Sequence, residues 1–168
     1  MSYNTVQGNL SATHLRIGVV VSRFNEFITE QLTKGALEAL EKRGCVPENI
    51  LVVKVPGAWE LSIAAKVIAQ RCDAIVALGA VVRGETPHFD YVASAAAEGL
   101  REITLYTGVP IAFGVLTTED LQQAMDRAGG KLGNKGAEAA EAAIEMANLL
   151  NELSQSPQYS RGFGPQGL

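Results

Sequence analysis

Four short apolar runs punctuate the chain: LRIGVVV (15–21), ILVVKV (50–55), DAIVALGAVV (73–82) and VPIAFGVL (109–116). They are rich in Val and Ile and mostly continuous, the pattern of strands buried on both faces. The segments between them switch to helical spacing. Ile28, Leu32, Ala36 and Leu40 recur at four-residue steps before Gly44 supplies a stop signal. WELSIAAKVIAQ (59–70) predicts a second helix, and Phe89, Val92, Ala96, Leu100 and Ile103 mark a third, ended by Gly108. Thr118 is expected to cap a short fourth helix through EDLQQAMDRAG, with two acids in its first turn. A fifth runs over 134–153, with Ala137, Ala140, Ile144, Ala147 and Leu150 along one face. Strand and helix alternate four times, which predicts an α/β three-layer sandwich: a four-stranded parallel sheet with right-handed crossovers and helices on both faces. The expected division is an N-terminal segment (1–14), a single α/β domain (15–153) and a disordered tail of Gly, Pro, Ser and Gln (154–168).

Composition narrows the class without changing the fold. At 168 residues, 47% hydrophobic and 19% charged, the chain is one domain able to bury a core without disulfides or metals. A net charge of −4 argues against a general nucleic-acid binder, which needs a basic footprint. Cys45 and Cys72 sit among apolar neighbours and read as small core residues. No signal peptide is visible and no apolar run approaches the ~20 residues of a membrane helix, so no membrane partner and a cytoplasmic location are expected.

Ligands of open parallel sheets bind beyond the carboxyl ends of the strands. That rule selects SRFNEF (22–27), PGAWE (56–60), RGETPH (83–88) and FGVLTTED (113–120). One aromatic in such a loop ordinarily lids the core. Phe24, Trp59 and Phe113 at one sheet edge would instead make a stacking surface for a flat ring. GAVVRGET (79–86) has P-loop spacing, but Glu85 replaces the lysine that attracts phosphate, and no G-x-G-x-x-G follows a strand. The histidines and cysteines do not fall at metal-ligand spacing.

Within RGETPHFD (83–90), Thr86 and Pro87 form a helix start, the hydroxyl as N-cap and proline at the first helical position. His88 then lies in the first turn, where the positive end of the helix dipole favours neutral imidazole, suited to relaying a proton. His14, in a polar segment, has no such setting. Candidate anion-binding residues are Arg83, Arg127, Lys131 and Lys135, although a cation at Arg127 also simply offsets a helix dipole. AGGKLGNKG (128–136) leads into a helix N-terminus, a setting suited to phosphate.

Five segments in order, SRFNEFIT, VPGAWE, LGAVVRGETPHFDYV, GVPIAFGVLTTE and AGGKLGNKGAEAA, resemble the 6,7-dimethyl-8-ribityllumazine synthase family from about Gln7 to Leu153. The resemblance implies a flavodoxin-like fold and a transferase of riboflavin biosynthesis without cofactor or metal. Its substrates would be 5-amino-6-(D-ribitylamino)uracil and 3,4-dihydroxy-2-butanone 4-phosphate. It assigns Phe24 to ring stacking and Ala58, Trp59 and Glu60 to the pyrimidine's ribityl chain; many members carry Phe at the position of Trp59. Ala80, Val81 and Val82 would meet the uracil edge through their backbone. Gly84, Glu85 and Thr86 would lie beside the phosphate, with His88 for proton transfer. Phe113 would come from a neighbouring subunit, with Arg127 binding phosphate and Lys135 close by. It also implies a homo-oligomer built on a pentamer with active sites between subunits, and riboflavin synthase as a partner. The AGGKLGNKG connector has no extra residues, which favours the icosahedral capsid form over free pentamers. Two competing readings are a flavodoxin-like module that holds a flavin or lumazine without turnover and a shell protein whose catalysis is lost.

Overall fold

In the computed structural model, which describes residues 3–157, the four apolar runs become one parallel sheet. Its strands are β1 (Ile17–Ser22), β2 (Ile50–Val55), β3 (Ala74–Val82) and β4 (Ile111–Thr118), in the order β2-β1-β3-β4. Helices α1 (Glu26–Lys42), α2 (Leu61–Ile68) and α3 (His88–Thr107) alternate with them. After β4 come α4 (Leu121–Arg127), a small hairpin of β5 (Ala128–Gly130) and β6 (Gly133–Asn134), and α5 (Lys135–Gln155). The result is the predicted α/β sandwich. No helix among the described residues is long and apolar enough to cross a membrane.

Continuous Val/Ile runs make sense for the two central strands, because each has a core on both sides. Val19, Val76 and Leu78 pack with Ile28, Leu32 and Ile144 of α1 and α5. Val20, Ile75 and Ala77 pack with Leu61, Ala65 and Leu100 of α2 and α3. The outer strands differ from expectation. Leu51 and Val52 of β2 and Phe113 of β4 are exposed, because an edge strand has a neighbour on one side only. Cys45 and Cys72 are buried free thiols, and burial pushes both up, as befits packing residues rather than reactive ones.

Several boundaries move. β4 continues to Thr118, which pairs with Val82 and is buried, so it does not cap α4. The cap is Asp120, two residues on, whose extended backbone lets its carboxylate accept from the Gln123 N–H at 2.8 Å. Helix α2 is shorter than predicted and is flanked by single 3₁₀ turns, Ala58–Glu60 and Ala69–Arg71. Helix α5 runs to Gln155, beyond the expected 153. The expected disordered tail (154–168) is corrected at its start, since residues 154 and 155 belong to α5, and its residues 158–168 lie outside the described residues.

Contact between α1 and α5 depends on missing side chains. A Cβ on Gly136 would overlap the Leu32 carbonyl, and one on Gly35 would overlap the Asn134 side chain. Asn134 uses that space fully. Its Nδ2 donates to Gln31 O at 2.8 Å, and its Oδ1 accepts from Gly136 N at 2.8 Å and Ala137 N at 3.2 Å. The N-terminal segment is fastened to α5 as well, through Asn148 Nδ2 to Asn9 O at 2.8 Å and Ser11 O at 2.9 Å. Gly136→Ala should therefore lower stability by roughly 1–3 kcal/mol, read as a reduced midpoint in urea denaturation.

At the amino ends of the strands Asp73 accepts from the Arg16 backbone N–H at 2.7 Å and from its guanidinium at 3.1 Å. Burial pushes the Asp73 carboxyl up, but the Arg16 hydrogen bonds and charge outweigh it and hold it below the usual range. A carboxyl depressed by folding adds stability above its unfolded value of about 3.9 and loses it as pH falls through the folded value. Asp73→Asn should therefore be less stable than the parent near neutrality, and the two should converge toward about pH 2 in urea titrations across that range.

Candidate active site

The sheet changes direction between β1 and β3: the chain leaves β1 for β2 on one side and returns to β3 on the other. Pairing of β1 with β3 ends at Val21 and Leu78, whereas β3 stays paired with β4 as far as Val82. Ile75 N donates to Pro110 O and Arg83 N to Thr118 O, so the odd-numbered amides in this strand point toward β4. Backbone groups of Ala80 and Val82 thus point the other way, past the end of β1. A ligand crevice is expected at such a switch point.

A cavity of about 590 Å³ opens there. It gathers Phe24, Ala58, Trp59, Glu60, Ala80, Val81, Val82, Gly84, Thr86 and His88 of the sequence-predicted set. Phe24 and Trp59 are 72% and 60% exposed, so neither is a lid on the core. Both line the cavity. Glu60 closes its own turn, Oε2 accepting from Gly57 N at 2.9 Å, which fixes the carboxylate and leaves Oε1 available. His88 opens α3, and its N–H lies 3.5 Å from Thr86 Oγ1. The regular helix starts one residue later than the sequence suggests: Pro87 holds the cap position instead of the first helical one, and Thr86 does not cap the helix.

Phe113, Arg127 and Lys135 lie elsewhere. They line a second cavity, of about 480 Å³, along the open edge of β4. The expectation that Phe113 joins Phe24 and Trp59 at one strand exit is corrected here. Because β4 begins at Ile111, Phe113 is its third residue, opposite Ala77 in mid-sheet. Glu85 is exposed in its loop and lines neither cavity.

The four candidate cations also separate. Arg83 Nε donates to Glu119 at 2.7 Å and NH1 lies 3.4 Å from Asp90. Hydrogen bonding to Glu119 pushes its guanidinium up, and the two carboxylates already engage it. Lys131 pairs with Asp126 at 3.5 Å and Lys135 with Glu138 at 2.8 Å. Arg127 meets no carboxylate among the described residues; its NH1 donates to Gln123 O at 3.0 Å. The expected phosphate setting at the start of α5 is not open, since Asn134 already satisfies the first amides.

Asn25 escaped the sequence reading. It is the one non-glycine residue with positive φ (59°) among those described, and its Nδ2 donates to Ala80 O at 2.9 Å. It thereby ties the Phe24 loop to the free end of β3. An asparagine after an aromatic at a strand exit was the available signal, since Asn tolerates this conformation. Asn25→Ala should cost about 2–3 kcal/mol, conformation and hydrogen bond together. Asn25→Gly, which keeps the turn, should cost only about 1 kcal/mol, both measured by urea denaturation.

The family model described as 6,7-dimethyl-8-ribityllumazine synthase matches residues 14–151. The match spans β1 to most of α5 and both cavities.

Proposed function

The chain belongs to the 6,7-dimethyl-8-ribityllumazine synthase family, transferases of riboflavin biosynthesis, and on that premise we propose that it condenses 5-amino-6-(D-ribitylamino)uracil with 3,4-dihydroxy-2-butanone 4-phosphate. The observation that carries this reading is the crevice at the β1–β3 switch. It offers two exposed aromatic rings, the end of β3 that β1 leaves uncovered and His88 within one wall. A flat pyrimidine lies against Phe24 and Trp59, with its polar edge toward the backbone of Ala80 to Val82. Ala58 and Glu60 take the ribityl chain, whose hydroxyls donate to the carboxylate.

In the proposed reaction the amine attacks the ketone carbonyl and water leaves as the imine forms. Phosphate is then eliminated, and the second nitrogen closes the ring with loss of another water. His88 moves protons in these steps, and Gly84, Glu85 and Thr86 form the loop beside the phosphate. Holding two reactants in line can supply about 7–11 kcal/mol of the barrier, so the imidazole needs to contribute only part of the rate.

The distribution of residues over two cavities supports a site shared between copies. One copy brings the His88 wall, and the next brings Phe113, Arg127 and Lys135 from its open β4 edge. Arg127, which among the four candidates is the cation without a carboxylate partner in the described residues, binds the phosphate, with Lys135 beside it. A homo-oligomer follows from this reading, a pentamer or the capsid built from pentamers, with riboflavin synthase as consumer of the product.

The test is to mix the two substrates with protein and follow lumazine fluorescence; no product would sink the reading. His88→Ala should slow turnover by ~10²-fold or more without abolishing it. Arg127→Ala should chiefly raise KM for the phosphate substrate, by roughly 10- to 100-fold. Co-assembling the two variants should restore about a quarter of parental activity, the fraction of interfaces uniting two intact halves in a random symmetric mixture. No recovery would place both residues in one copy's site.

A further inference from the structure

We propose that Arg83 is a positioning residue whose guanidinium staples the His88 loop into its working shape. The inference rests on the condensation reading, because the loop concerned is the one that reading places beside the phosphate substrate.

Residues 83–88 are all exposed, so no buried side chain pins them. A Cβ on Gly84 would meet nothing, which leaves the middle of the loop without packing. Apart from two backbone bonds, Arg83 N to Thr118 O at 2.9 Å and Asp90 N to Pro87 O at 3.0 Å, and the long Thr86–His88 contact, one side chain holds the loop among the described residues. Arg83 Nε reaches Glu119 Oε2 at the exit of β4, 2.7 Å away. Its NH1 approaches Asp90 Oδ1 at 3.4 Å in the first turn of α3. The guanidinium carbon lies 4.3 Å from the centre of the Phe89 ring, and that ring lines the cavity next to His88.

One planar cation thus joins the start of the loop to its end and to the neighbouring strand. Closing a short loop costs conformational entropy, and a side chain that closes it permanently removes that cost from substrate binding. Stacking on Phe89 while donating from the rim needs a flat fork; an ammonium on a flexible stem meets one partner at a time. Because both carboxylates face the guanidinium, its charge is directed at the loop and not at a ligand.

The experiment compares Arg83→Met, Arg83→Lys, Glu119→Gln and the Arg83→Met/Glu119→Gln double variant by steady-state kinetics on the whole protein. Arg83→Met should lower kcat by roughly 10-fold and raise KM for the phosphate substrate by about 5-fold, as expected for a displaced reacting group. KM for the pyrimidine should stay within about 2-fold, because the Phe24 and Trp59 wall is untouched. Arg83→Lys should recover only part of the loss, and the double variant should be no worse than Arg83→Met. An activity-independent readout is cleavage after Glu85 by a glutamyl endopeptidase, which should quicken in Arg83→Met while other glutamates stay protected.

If the parent turns over and Arg83→Met matches it in both KM values, kcat and cleavage, the positioning role is overturned. A fall in kcat alone, with cleavage at many glutamates, would mean fewer folded molecules and overturns it equally. If the parent makes no lumazine, the condensation reading fails, while selective cleavage at Glu85 still supports the clamp.

Discussion

The site exists because one strand outruns its neighbour. Pairing between β1 and β3 stops at Val21 and Leu78, and β3 continues to Val82 on the support of β4 alone. Had β1 matched it in length, the Ala80 and Val82 backbone would be bonded within the sheet. Backbone groups left over in this way must be met by something. Asn25 meets one of them, the Ala80 carbonyl, and sets the Phe24 loop beside the gap. Turn and crevice are one construction: the connection leaving β2 carries Trp59 and Glu60 to the other bank, and the loop into α3 brings His88.

Charge pairing sorts residues that the sequence presents alike. Arg16, Arg83, Lys131 and Lys135 each have a carboxylate within 4 Å, and their charges are partly spent inside the chain. Apart from Asp73, which also accepts from the Arg16 backbone, such exposed pairs add little to stability. Their effect is directional, since each fixes a segment or leaves a neighbouring cation with an unshared field. Arg127 is left that way, on the rim of the β4 cavity. The proposed division of the site between copies follows from this arrangement more than from the aromatics.

Much of this was legible in the residues. Continuous Val/Ile runs separated by helical spacing marked the sheet and its flanking helices, and the strand-exit rule selected most residues of the first cavity. Less visible were features set by pairing. Equal apolar runs do not say which strands lie at the edge, so β2 was read as buried although Leu51 and Val52 are not. Thr118 had the right chemistry for a cap, but its register opposite Val82 places it in the strand. Phe113 opens FGVLTTED, which the strand-exit rule selects, whereas β4 runs from Ile111 to Thr118 and makes Phe113 its third residue. RGETPH announced chemistry at His88, but not that its arginine faces two acids distant by 7 and 36 positions.

The crossing of α1 and α5 carries one more implication. Asn134 sits in the notch left by Gly35 with each polar atom engaged, and it also begins α5. Lengthening the turn at Lys131 and Leu132 by one residue would leave that key short of or beyond its slot. Helix α5 would then lose its axial reference, and with it the offset between Arg127 and Lys135. The number of residues in this connector therefore acts as a measuring stick, coupling the spacing of two helices to where Asn134 meets Gly35.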